Sequence, residues 1–87
     1  MNCIINVGYG NMVNAGRVLG IIKPEAAPVR RMIQSLKDSG NAFDATCGRK
    51  TKSVLVLDNG CVMLSALLPE TIAARMNNDY GRGEIIE

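Results

Sequence analysis

Histidine and tryptophan are missing from this 87-residue chain, and its aromatics are limited to Tyr9, Phe43 and Tyr80. Without histidine, no side chain has an ordinary pKa near neutrality with which to shuttle protons or activate a cysteine nucleophile. Cys3, Cys47 and Cys61 are odd in number and show no CxxC spacing, so neither a structural zinc site nor a disulfide framework is expected. They read as free thiols in buried or half-buried positions. The scarcity of aromatic platforms argues against a module that stacks RNA loops or single-stranded nucleic acid. No apolar run approaches a membrane span, and Met1 to Val7 leads straight into Gly8 without the pattern of a secretory signal. A protein of the reducing cytosol is expected, with no membrane partner, cofactor, metal or small-molecule ligand. Asp38, Asp44, Asp58, Glu70 and Asp79 are scattered and, with no histidine to partner them, do not assemble an acid/base pair, so an enzyme is not expected.

What is present fits one small domain that buries a modest share of its surface. The formal charge is only +2, but it is unevenly spread. Asp79, Glu84 and Glu87 against Arg82 make the last nine residues acidic, and the remainder carries nine basic residues against five acidic ones. Residues 1–78 are therefore read as a single domain and 79–87 as a mobile acidic tail.

Cys3 to Val7 reads as a strand stopped by Gly8-Tyr9-Gly10-Asn11, and Arg17 to Ile22 as another, ended by Lys23-Pro24. Pro28 suits the first turn of a helix and Gly40 its C-terminal end. Between them Val29, Met32, Ile33 and Leu36 form one apolar stripe, leaving Arg30, Arg31, Gln34 and Lys37 on the other side. Ala42 to Cys47 is a short strand. Ser53–Asp58 and Cys61–Leu67 flank Asn59-Gly60, the signature of a β-hairpin closed by a two-residue type I′ turn. Pro69 and Glu70 open a second helix with Ile72, Ala73 and Met76 as its apolar side. The fold class is α+β, a small antiparallel sheet with a C-terminal β-hairpin and two helices. The hairpin strands are almost continuously apolar, so both faces need cover. With two short helices covering one face, a second copy of the chain is expected on the other, making a homo-oligomer.

Two segments have the composition of a binding site. Gly8-Tyr9-Gly10-Asn11 follows a strand but lacks the third glycine, the Lys-Ser/Thr pair and the helix of a phosphate-cradling loop, and is read as a tight turn. Gly48-Arg49-Lys50-Thr51-Lys52 concentrates cations beside a glycine bend that frees backbone N–H groups, a composition suited to phosphate oxygens. On a strand Lys50 and Lys52 would share one side; in a loop all three cations can face the same way. An ordinary solvated charge run has the same composition, and residue chemistry alone leaves both readings open. Arg17, Arg30 and Arg31 extend the patch only if the fold gathers them. Asp44 is expected to bond a neighbouring backbone turn or to orient an arginine.

Taken together, several blocks resemble the RemA family of small bacterial regulators of extracellular matrix (biofilm) genes. They are Asn6-Val7-Gly8-Tyr9-Gly10-Asn11 with Arg17-Val18, the run from Pro24 to Ile33, the run from Asp44 to Ser53, and Leu64-Ser65-Ala66 with Pro69-Glu70-Thr71-Ile72 and Arg75. The resemblance implies a DNA-binding transcriptional regulator at the nucleoid, built as a homo-oligomeric ring of about eight subunits with DNA against a basic surface. It maps the family's DNA-binding arginines onto Arg17, Arg49 and Lys50. Lys50 departs from the usual arginine, keeping the charge but losing the bidentate fork. Cys47 stands where an aromatic is common. Lys52 is added as a fourth contact, with Arg30 and Arg31 as further phosphate contacts. The rival readings are a self-assembling scaffold whose basic patch recruits an acidic protein, and an RNA-binding module.

Overall fold

The computed structural model describes residues 4–81. Strands β1 (Ile4–Asn6) and β2 (Met12–Asn14) pair antiparallel, followed by a 3-10 turn over Ala15–Arg17. Strand β3 (Val18–Ile22), helix α1 (Ala27–Asp38), strands β4 (Ala42–Asp44), β5 (Ser53–Leu57) and β6 (Val62–Ser65), and helix α2 (Pro69–Gly81) complete the chain. The larger sheet has the order β3-β5-β6-β4. The chain is α+β, as its periodicities predict, and the helix starts at Pro28 and Pro69 fall where proline tolerates its missing N–H. Helix α2 takes in the first residues of the stretch read as a tail, and residues 82–87 lie outside the described residues.

Two expectations about the sheet need correction, and one strand was not expected at all. β4 runs parallel to β6, so the sheet is mixed and not wholly antiparallel. After β4 the chain crosses the end of β6 and enters β5 beyond it, and this short hop leaves β4 antiparallel to β5 and therefore parallel to β6. Met12–Asn14, without periodicity of its own, forms a second hairpin with β1. The loop at Asn59-Gly60 is not a two-residue type I′ turn, because only Gly60 has positive φ, at 85°. Gly60 N–H donates to Leu57 O (3.3 Å) and Leu57 N–H to Cys61 O (3.0 Å), the pattern of a three-residue loop with a glycine bulge. Asp58 N–H is held by Arg17 O at 3.0 Å, which keeps Asp58 aligned with the neighbouring chain.

The sheet has an apolar cluster on each face. Val54, Val62 and Leu64 pack against α1 through Ile33, with Val29, Met32 and Leu36 joining from the predicted stripe. Leu55 faces the other way, into a cluster with Ile5 and Val7, Ala15, Ala45 and Ile72. The second face is thus covered within the chain, by the β1–β2 hairpin and α2. An uncovered hairpin face cannot be the reason for self-association, contrary to the expectation. β3 fits this two-sided arrangement through a bulge: Val18 opposes Leu57 and Gly20 opposes Val56, leaving Leu19 as an extra residue, 72% exposed. Val18 and Ile21 consequently both pack on the β1–α2 side.

Candidate nucleic-acid interface

The basic run is a loop pinned at both ends. Ala45 N–H donates to Leu64 O at 2.8 Å before it, and Lys52 N–H to Ser65 O at 2.8 Å after it. Within it Cys47 and Gly48 have φ of 55° and 80°, and Arg49 N–H returns to Thr46 O at 3.0 Å. Positive φ at both central residues is the type I′ signature, here at Cys47-Gly48 and not at Asn59-Gly60. The turn position also explains why Cys47 is exposed, against the expectation of a buried thiol, while Cys61 is partly covered. Asp44 builds the approach to this turn: its Oδ1 accepts from Thr46 N–H (2.8 Å) and Thr46 Oγ1 (2.6 Å). The Thr46 hydroxyl and then its amide hold the Asp44 carboxyl below its ordinary value; burial opposes them less strongly, and the charge of Lys37 adds a still smaller pull downward. Asp44 therefore serves the backbone turn and does not hold an arginine.

A second turn of the same type stands beside the first. Tyr9 and Gly10 have φ of 54° and 79°, and Asn11 N–H donates to Gly8 O at 3.0 Å. The Tyr9 ring lies under the Arg49 guanidinium, 5.6 Å from centroid to Cζ, a cation–π contact worth about 0.5–1 kcal/mol when exposed. The Gly-Tyr-Gly segment is a tight turn, and it presents the ring on which Arg49 rests. Sequence reasoning missed this pairing, and only the occurrence of a lone aromatic between two glycines hinted at it.

Arg49, Lys50 and Lys52 are all exposed on this loop. Arg17 is elsewhere. It precedes β3, and its Nε lies 3.0 Å from Asp58 Oδ2, at the end of β5 away from the basic run. Five strand residues, roughly 16 Å of extended chain, separate the two ends. Arg30 lines an open depression with Lys50 and Lys37, whereas Arg31, also exposed, does not. Lys23 lines an adjoining depression with Lys50 and Lys52. Lys23 and Lys37 were not singled out from sequence: one reads as the end of a strand, the other as the polar side of a helix. Among the described residues no group of three or more His, Cys, Asp or Glu side chains could hold a metal, and no helix is long and apolar enough to cross a membrane.

The chain is similar to known proteins over almost all of this framework. A regulatory protein by its assumed role, from Lachnoclostridium phytofermentans, is 62% identical over 77 residues, covering 88% of this chain and 85% of the relative. Relatives named in the same way are 49% identical in Synechococcus elongatus, over 90% of each chain, and 50% identical in Bacillus cytotoxicus, over 85% of each. The model of the RemA-like family, described as extracellular matrix regulatory protein A-like, matches residues 4–76, which take in both positive-φ turns, the basic loop and most of α2. The chain therefore belongs to the RemA-like family.

Proposed function

We propose that this member of a regulatory family is a DNA-binding regulator of transcription that works as a homo-oligomer. Arg49, Lys50 and Lys52 contact backbone phosphates from each subunit. The observation that carries this reading is the basic loop itself: three exposed cations on a segment of eight residues, fixed at both ends by backbone hydrogen bonds and shaped by a positive-φ turn. A solvated charge run has no need of such anchoring. Fixed donors lose little conformational freedom on meeting a phosphate. Neither described helix is assigned the part of a recognition helix in this reading, and DNA shape accordingly supplies much of the sequence preference.

Arg17 joins this surface only if a neighbouring subunit brings it there, since it lies at the other end of its own sheet. The open depression between the β3 edge and α2, lined by Val18, Leu19, Ile21, Ala73 and Met76, supports self-association as the means. A ring of about eight repeats the loop at regular intervals, and effective concentration then multiplies weak contacts. Such a protein acts in the cytoplasm at the nucleoid, and the family description makes matrix genes the first operators to test.

The test is duplex affinity measured against salt. Three phosphate contacts per subunit predict a slope of log K on log salt of about −2.7 for each engaged subunit, or about 40-fold weaker binding between 50 and 200 mM. Arg49→Ala is expected to flatten the slope by about 0.9 per engaged subunit. Lys50→Arg is expected to keep the slope and raise affinity, because the charge count is unchanged and a bidentate fork is added. Absence of duplex binding at low salt overturns the proposal; capture of an acidic protein by the same loop would then favour a scaffold.

A further inference from the structure

We propose that the phosphate-binding surface crosses from the basic loop onto helix α1, where Arg30 and Lys37 form a second row of contacts to the DNA backbone. This rests on the DNA reading above and extends it. Lys50 and Thr51 form a ridge between two adjoining depressions. The one on the α1 side, about 400 Å³, is bordered by Arg30 and Lys37 opposite Lys50, with Glu25 as its one carboxylate and Ile33 in its lining. Lys23 and Lys52 border the other. The linings of the two depressions together carry five cations, Lys50 of the ridge among them, and two carboxylates, Glu70 and the Glu25 that lines both, while Asp44 lies near enough to Lys37 to feel its charge. A concave surface with a largely one-signed rim and an apolar wall concentrates the potential that attracts a polyanion.

The geometry of α1 fixes which of its charges take part. Arg30, Gln34 and Lys37 stand at i, i+4 and i+7 and share one side of the helix. Ile33, Val29, Met32 and Leu36 bind the neighbouring side to the sheet, with Ile33 at the border between the two, so α1 cannot roll to exchange one set for the other. Gln34 Nε2 donates to Asp38 Oδ1 at 3.1 Å, which leaves the two cations as the charged ends facing the trough. Seven residues of helix separate Arg30 from Lys37 by about 10.5 Å along the axis, a spacing that lets the pair reach along the backbone to more than one phosphate. Arg31 follows Arg30 in sequence but lies about 100° round the helix, and it borders neither depression.

This asymmetry between adjacent arginines makes the test. Duplex binding is measured against salt for the wild type and for Arg30→Ala, Lys37→Ala, Arg31→Ala and Arg49→Ala. Circular dichroism confirms helicity, which alanine favours. Arg30→Ala and Lys37→Ala are each expected to flatten the salt slope by about 0.9 per engaged subunit and to weaken all sequences alike, while Arg31→Ala leaves the slope unchanged. If Arg49→Ala flattens the slope and neither Arg30→Ala nor Lys37→Ala does, the second row is refuted and the DNA reading stands. Equal flattening by Arg31→Ala also refutes it, since net charge alone would then account for the effect. A wild type that binds no duplex removes the DNA reading and this extension with it.

Discussion

Asp44 shapes the basic loop without belonging to its charged surface. Its Oδ1 takes two hydrogen bonds from Thr46, and both are stronger when the carboxyl is ionised. The folded-state pKa is consequently depressed from 3.8. A depressed carboxylate contributes stability that is present above its unfolded value and lost as pH falls through the lower folded value. Asp44→Asn retains an acceptor oxygen but cannot titrate. We expect the wild type to be the more stable at neutral pH and its advantage to shrink as pH falls below 3.8, as urea midpoints of the two proteins across an acid series would record. A constant difference down to pH 2 would contradict this assignment. The part played by Asp44 was legible because a short acid followed two residues later by threonine is a local pattern. The partner of Arg49 was not legible, because forty positions separate it from Tyr9 and only tertiary packing joins them.

At the scale of elements, two serines on neighbouring strands tie the hairpins together. Ser53 and Ser65 are a cross-strand pair with no exposed surface. Ser65 Oγ donates to Val7 O at 2.7 Å and accepts from Leu67 N–H at 3.0 Å, linking β6 to the chain that leaves β1. Ser53 Oγ donates to Leu67 O at 2.5 Å. Ser65→Ala leaves a carbonyl and an amide without this partner, one of the costlier changes in hydrogen bonding, and should remove about 1–3 kcal/mol of stability. The expected record is a lower urea midpoint with an unchanged m value. Helix α1 and the strands β5 and β6 were readable because apolar periodicity is a property of a few consecutive residues. The parallel β4–β6 pairing depends on where the chain goes after β4, and the loop at Gly60 on how Asp58 meets Arg17. Neither is encoded within a single window.

For the whole molecule, the two apolar clusters change the argument for assembly. One chain covers both faces of its sheet, and the large exposed apolar side chains lie outside these clusters: Leu19 on β3, Phe43 on β4, Ile4 and Met12 on the small hairpin, Tyr9 at its turn, and Leu68 just before α2. The proposed subunit contact involves the β3 margin. Leu19→Asp should leave the fold intact, since the side chain already faces water, yet reduce the particle size measured by light scattering and weaken duplex binding with it. A wild type that is a monodisperse monomer would count against self-assembly altogether. The RemA-like resemblance was evident from blocks spread along the chain, whereas the distance between Arg17 and Arg49 within one subunit required coordinates.

The bulge at Leu19 bears on how far any such assembly can grow. Flat strand edges accept another strand at many registers and can be extended without end. Here the edge strand is only five residues long and changes alignment between Val18 and Gly20, which leaves a regular run too short to be shared at more than one offset. An edge of this kind selects a neighbour by position and rejects the same neighbour slipped by one residue.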